Sequence, residues 1–131
     1  MTTTTEAPSV AGLPRILLRL EGAALLGLSV LLYARLDRSW LLFVILLLAP
    51  DIGMLGYVRG TRVGAVAYNL FHTYLAPAAL AMIGVIAEHH LTISLALIWF
   101  AHIGFDRALG YGLKYPEGFE HTHLGRIGRG R

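Results

Sequence analysis

Four long apolar stretches, separated by short polar connectors, dominate the hydropathy pattern of the chain. They cover about residues 16–34, 40–57, 63–87 and 91–109. Each comes close to the roughly 20 residues that a helix needs to cross the hydrocarbon core of a bilayer. The connectors "RLDRS", "VRGTR" and "EHH" are so short that successive helices must be antiparallel neighbours. The pattern therefore predicts an all-α fold, an integral membrane up-down four-helix bundle over residues 15–109.

The two ends of the chain differ from this apolar middle. Residues 1–14 are polar at first and are predicted to be disordered. Residues 110–131 form a tail that is broken by glycine and proline and predicts a short C-terminal segment on the cytoplasmic side. This tail either folds over the cytoplasmic mouth of the bundle as a lid or lies against anionic lipid. Its candidate lid residues or additional metal ligands are Tyr111, Tyr115, His121 and His123.

Composition supports a membrane protein and narrows the chemistry. The chain is 56% apolar and only 15% charged, whereas a soluble domain carries about a quarter charged residues. The absence of cysteine excludes disulfides and thiolate metal sites. The basic residues lie between the apolar stretches, as topology signals do, so we expect a lipid bilayer rather than nucleic acid as the partner. A homo-oligomer is compatible with the small residues on the helices.

The distribution of lysine and arginine predicts the orientation. Nine of the 11 basic residues lie on the side of the two termini and the second connector, and only Arg35 and Arg38 lie on the other side. Cytoplasmic loops carry the excess of positive charge. The sequence thus predicts a multi-pass protein of the cell inner (plasma) membrane with both termini in the cytoplasm.

Five ionisable residues interrupt the predicted spans at a similar depth in the cytoplasmic half. They are Glu21, Asp51, His72, His102 and Asp106. A charge at the centre of a span costs about 2.5–3.5 kcal/mol on insertion scales, so such residues are expected to face the bundle interior and satisfy one another. His102 and Asp106 are separated by four positions and share one helical face. Pro50 is expected to kink the second span beside Asp51.

Carboxylates and imidazoles from several helices are the ligands with which helical bundles hold transition metals. The five residues therefore predict a site for iron, manganese or zinc. The corresponding hypothesis is a membrane protein that acts on a lipid or small hydrophobic substrate. Tyr68 and Asn69 are the candidate groups that orient the imidazoles. For each acid the alternative is an ion pair with a nearby arginine, and for each histidine a neutral hydrogen-bonded place in the bundle.

Two other functional hypotheses remain open from the sequence. His72 and His102 are candidate axial ligands of a b-type haem, although nearby acids are unfavourable around a macrocycle. The acids and histidines are also suited to a proton relay or a transport subunit. A purely structural membrane subunit is a further alternative, and the sequence leaves open whether the protein is an enzyme.

The strings "APDIGMLGY", "YNLFHTY" and "HIGFDRALGYGLKYPEGFEHTHLG" resemble an uncharacterised family of small bacterial four-helix membrane proteins, domain of unknown function 4260. The resemblance covers about Leu17 to Gly125, and the last string is its most specific part. It implies an integral membrane protein with these segments as its signature. It implies no activity, so the site rests on the residues themselves.

Overall fold

The computed structural model describes residues 8–127, and these form a bundle of helices with one small hairpin near the C-terminus. The residues for which disorder is predicted thus fall partly outside this range. The helices are α1 (Gly12–Arg35), α2 (Trp40–Leu46), a 3₁₀ helix (Ala49–Arg59), α3 (Thr61–His72), α4 (Leu75–Ile86) and α5 (His90–Leu109). Four candidate spans result, because α2 continues into the 3₁₀ helix and α3 into α4. The predicted all-α membrane fold is confirmed.

Helix α5 is the central element of the bundle. It packs against α1, α2 and α4, while α3 packs mainly against the 3₁₀ helix. Close approach of α1 and α5 depends on glycine: a Cβ built on Gly104 would lie 2.6 Å from the backbone oxygen of Gly22. Small residues allow such contacts in lipid, where van der Waals packing replaces the hydrophobic effect between helices. As a result, half of α5 is buried, against about a sixth of each other span.

Both middle spans are broken at the same level of the bundle. Pro50 has no N–H to donate, and Asp51 N–H donates to the carbonyl of Leu48 in the 3₁₀ pattern, so the carbonyl of Leu47 is left without its helical partner. The third span changes direction at Thr73, which has an extended conformation. Irregular backbone is tolerated at membrane depth where protein groups satisfy it.

Side chains of α5 provide those groups. His102 Nδ1 donates to the carbonyl of Leu47 at 2.5 Å, and Trp99 Nε1 donates to the carbonyl of Phe71 at 2.7 Å. Arg107 donates from Nη2 to the carbonyl of His72 at 2.8 Å. The breaks in spans two and three are thus both held by α5, and this brings their ends to His102 and Asp106.

The tail is anchored to the bundle by backbone and side-chain hydrogen bonds. Gly110 ends α5 in the left-handed conformation (φ 89°), which glycine adopts without steric cost. Strands β1 (His121–Thr122) and β2 (Gly125–Arg126) pair antiparallel, and Lys114 bridges to Thr122. Val10 N–H donates to the carbonyl of His123, so the segment before α1 also contacts the tail.

Candidate metal centre

Four side chains from three helices converge at the breaks. Asp51 is the third residue of the 3₁₀ helix, His72 ends α3, and His102 and Asp106 lie one turn apart on α5. His72 Nε2 lies 3.2 Å from Asp51 Oδ1 and 3.3 Å from Asp106 Oδ2, and His102 Nε2 lies at the same two distances. The two Nε2 atoms are 3.0 Å apart. One oxygen or nitrogen from each residue therefore lies within 4.8 Å of all the others.

The hydrogen bonds of the two imidazoles determine which ring nitrogen is unprotonated and presents its lone pair to the cluster. His72 Nδ1 lies 2.9 Å from the carbonyl of Tyr68, and His102 Nδ1 contacts the carbonyl of Leu47. A carbonyl only accepts, so both Nδ1 atoms carry the proton, and in the neutral imidazole Nε2 is then an acceptor. Two Nε2 lone pairs and two carboxylates consequently face one another, and only a cation or added protons can stabilise four such acceptors.

Five of the six distances among the donors match those around a single first-row metal ion. A tetrahedral ion with bonds of about 2.0–2.1 Å separates its ligands by about 3.3 Å. An octahedral ion with similar bonds separates neighbouring ligands by about 3.0 Å. The five distances given above span this interval. Carbonyl acceptors behind both imidazoles are also typical of metal-bound histidine, since they fix the tautomer and the ring orientation.

The centre is buried on three sides and open on one. The side chains of His72 and His102 are 0% and 4% exposed, and that of Asp106 is 13% exposed, whereas that of Asp51 is 35% exposed. The Tyr68 ring stacks on the His72 ring with centroids 3.7 Å apart and planes 6° from parallel. Access to the centre is therefore along Asp51.

Glu21, expected at the same site, is not brought to it. Its side chain is exposed and lines a different cavity of about 330 Å³, together with Tyr74, Arg107 and His123. Glu21 lies on α1, which contacts another side of α5 from the one that carries His102 and Asp106. Which face of α5 a neighbouring helix contacts does not follow from depth along the membrane normal. Within residues 8–127, none of the three acids forms an ion pair with an arginine.

Of the two residues expected to orient the imidazoles, one contacts a histidine and one does not. Tyr68 contributes its carbonyl and its ring to His72. Asn69 instead binds the backbone of Lys114: its Oδ1 accepts from Lys114 N–H at 2.6 Å, and its Nδ2 donates to the Lys114 carbonyl at 2.8 Å. Asn69 thus anchors the tail.

The four tail residues expected as a lid or as extra ligands lie in different places relative to the centre. Tyr111 lines a cavity of about 250 Å³ together with Asp51 and Asp106. Tyr115 donates from its hydroxyl to the carbonyl of Pro8, away from the four ligands. His121 lies on β1 and is not part of the cluster of donors. His123 accepts from Leu113 N–H through Nδ1 and lines the cavity of Glu21.

Two basic residues near the centre, Arg107 and Lys114, were not among the candidate site residues from the sequence. Arg107 is 5% exposed and donates to the carbonyls of His72 and Tyr111, so it joins α3 to the tail. Lys114 is 3% exposed and lines the same cavity as Asp51 and Asp106. Burial lowers the pKa of Lys114 to about 8, and the negative charges of Asp106 and Asp51 partly oppose this shift. A lysine in a tail gives no sequence signal of burial.

Comparisons with known proteins place the chain in a family without adding an activity. No curated protein and no solved structure matches the chain significantly. One family model, described as "Domain of unknown function (DUF4260)", matches residues 15–127. This match covers all but the first turn of the first candidate span, the other three spans, and the tail through β2. The chain therefore belongs to the DUF4260 family.

Proposed function

We propose that this protein is a membrane metalloprotein in which Asp51, His72, His102 and Asp106 hold one divalent ion of iron, manganese or zinc. The observation that carries the proposal is the convergence of four acceptor atoms, two from carboxylates and two from imidazoles whose tautomers are fixed by backbone carbonyls. Imidazole and carboxylate ligands without thiolates suit these metals. Four donors and the separate position of Glu21 favour a single ion over a pair.

A hydrophobic substrate is the second part of the proposal. A mainly apolar cavity of about 310 Å³ lies between the middle spans and α5. Pro50 and Phe71 line it, and each directly precedes a proposed ligand, Asp51 or His72. Ligand sites in proteins are typically concave and mostly apolar with a few placed polar groups. The protein is thus suited to a lipid or small hydrophobic molecule, whose apolar part this cavity would hold beside the centre.

The geometry does not favour haem. Axial imidazoles bind iron on opposite faces of the macrocycle. The Nε2 atoms of His72 and His102 are 3.0 Å apart, and a carboxylate oxygen lies beside each of them, so no porphyrin plane fits between. A proton relay remains the second candidate, because 3.0 Å is also the length of an N–H···N hydrogen bond when one imidazole carries an extra proton.

Elemental analysis of the protein purified in a non-ionic detergent without chelator tests the proposal. We expect one equivalent of metal per chain, and its loss in His72→Ala and in His102→Ala. Matched controls are Glu21→Gln, an acid of the same depth outside the centre, and His90→Ala, an exposed histidine at the other end of α5. Both controls should retain the metal.

Two results would contradict the metal proposal. One is a folded protein that contains no metal and takes up none on dialysis against iron, manganese or zinc. The other is full metal content in the double variant His72→Ala/His102→Ala. A metal-free protein whose Asp51→Asn variant loses proton transfer across vesicles would instead support the relay.

A further inference from the structure

The cavity at the open side of the centre has the composition of a binding site. It has a volume of about 250 Å³ and lies against Asp51, the most exposed of the four proposed ligands. The Asp106 carboxylate also borders it. Its other walls come from the 3₁₀ helix, α3 and the tail: Met54, Tyr68, Tyr111, Lys114, Phe119 and Ile127. An additional ligand of the metal would enter through this cavity.

Lys114 is unusual among the residues that line the cavity because it is a buried lysine. Its ammonium lies 3.7 Å from the centroid of the Phe119 ring and 4.8 Å from that of Tyr68. Within residues 8–127 it forms no ion pair, although only 3% of the residue is exposed. Contact with aromatic rings stabilises a cation by about 0.5–2 kcal/mol, which is less than a buried ammonium loses on leaving water. The aromatic contacts alone therefore do not account for its burial.

Metal binding would change the charge balance of the cavity. In the absence of a cation, the carboxylates of Asp51 and Asp106 face Lys114 across the cavity and attract it. A divalent ion carries the charge that cancels two carboxylates, so the ammonium is then left without a counter-charge. The loaded cavity would therefore carry one net positive charge, that of Lys114, beside a metal ion that can accept an anionic ligand, so a complementary ligand is an anion.

We propose that this cavity binds the oxyanion of an amphiphilic molecule, a phosphate or a carboxylate, with one oxygen on the metal and another on the ammonium of Lys114. The inference rests on the proposed metal centre and deepens it by naming the substrate class. Lysine binds phosphate and carboxylate oxygens as a point charge. The apolar side chains of Met54, Phe119 and Ile127 would contact the part of the molecule next to its oxyanion.

Cobalt(II) substitution makes the binding visible, because the ligand-field absorption of the ion changes when a ligand is added to it. Cobalt-loaded protein in a maltoside detergent is titrated with octyl phosphate, with octanoate and with neutral 1-octanol. We expect a saturable spectral change with the phosphate or the carboxylate, and the stronger of these two identifies the oxyanion. Inorganic phosphate and acetate show how much the alkyl chain contributes.

Variants of Lys114 then test the residue itself. Lys114→Met should weaken oxyanion binding at least tenfold and leave the cobalt content unchanged, whereas Lys114→Arg should retain most of the affinity. Thermal unfolding of each variant checks that it is folded. Glu117→Gln, an exposed charge change in the same tail, should bind like the parent protein.

The failure of this inference is distinguishable from that of the metal proposal. Protein that binds no cobalt, zinc, iron or manganese overturns both. Cobalt-loaded protein that responds to neither oxyanion overturns the binding proposal alone. So does an affinity for the oxyanion that is equal in the parent protein and in Lys114→Met.

Discussion

The side-chain amide of Asn69 spans the peptide group of Lys114, accepting from its N–H at 2.6 Å and donating to its carbonyl at 2.8 Å. This pair of bonds fixes the tail to α3 three residues before His72. Because the Lys114 backbone is held, its ammonium is directed to the rings of Tyr68 and Phe119. A residue of the third span thereby positions a cation beside the proposed metal centre.

Asn69→Leu should release this part of the tail. Loss of both bonds leaves the Lys114 N–H and carbonyl without partners, at a cost of about 1–3 kcal/mol for each buried group. We expect faster hydrogen–deuterium exchange in peptides covering residues 110–127 and weaker oxyanion binding, with the metal content unchanged. Asn69→Asp keeps an acceptor for the Lys114 N–H but loses the donor, so its effect should be intermediate. Exchange rates equal to those of the parent protein in Asn69→Leu would show that other contacts hold the tail.

The sequence predicts the spans and the depth of the ionisable residues, because both follow from distance along a helix. It therefore identifies Asp51, His72, His102 and Asp106 as neighbours. Two kinds of information are missing from such a one-dimensional argument. The rotation of α1 about its axis decides that Glu21 lies on another side of α5. The fold of the tail decides that Lys114 becomes buried and that Asn69 binds it.

The breaks in the middle spans show the same limit. Pro50 gives a local reason for the end of α2, and a kink was expected there. The break after His72 has a weaker signal, since Pro77 lies five residues further along the chain. Its stability depends on Trp99 and Arg107, which satisfy the freed carbonyls from another helix. Hydrogen bonds between distant positions are set by tertiary packing, which the spacing of residues within one helix does not encode.

Gly104→Ala should destabilise the bundle by separating α1 from α5. The added methyl would lie 2.6 Å from Gly22 O and 3.0 Å from Leu26 N, both backbone atoms that cannot turn aside. Overpacking of this kind costs about 1–3 kcal/mol. Gly27→Ala is the matched control, since the same substitution in α1 meets no atom within 4 Å. Thermal unfolding in detergent should show a lower midpoint for Gly104→Ala and an unchanged or slightly higher one for Gly27→Ala. Equal midpoints would mean that the helices are not in this close contact.

Acidification should loosen the tail through His123. Its Nδ1 accepts from Leu113 N–H, so the docked tail requires the unprotonated ring. Burial lowers the pKa of His123 from its ordinary 6.5, and the positive charge of Arg107 acts in the same direction. A released tail binds the proton more readily than a docked one. Docking is therefore fully favourable above pH 6.5 and weakens as the pH falls below that value towards the lowered pKa.

Hydrogen–deuterium exchange of residues 110–127, corrected for the intrinsic effect of pH, measures this loosening. The protection of the parent protein should fall as the pH is lowered from 7.5 to 5, that is, from about one unit above the ordinary histidine pKa to about 1.5 units below it. His123→Asn is the control, because an amide oxygen accepts from Leu113 N–H without titrating. Its protection should stay constant over the same interval. The same pH dependence in both proteins would assign the effect to another group.

The proposed orientation, with both termini in the cytoplasm, is testable because the chain contains no cysteine. A single introduced thiol therefore reports on one position alone. Glu88→Cys lies in the connector between α4 and α5, and Glu117→Cys lies in the tail, and both positions are exposed. Neither substitution removes a positive charge, so the bias that determines orientation is preserved.

A membrane-impermeant maleimide applied to intact cells should label Glu88→Cys and should label Glu117→Cys only after the membrane is permeabilised. The reverse pattern would place the tail, Lys114 and the open side of the centre outside the cell. Labelling of both positions in intact cells would indicate a mixed orientation and contradict the positive-inside argument for this chain.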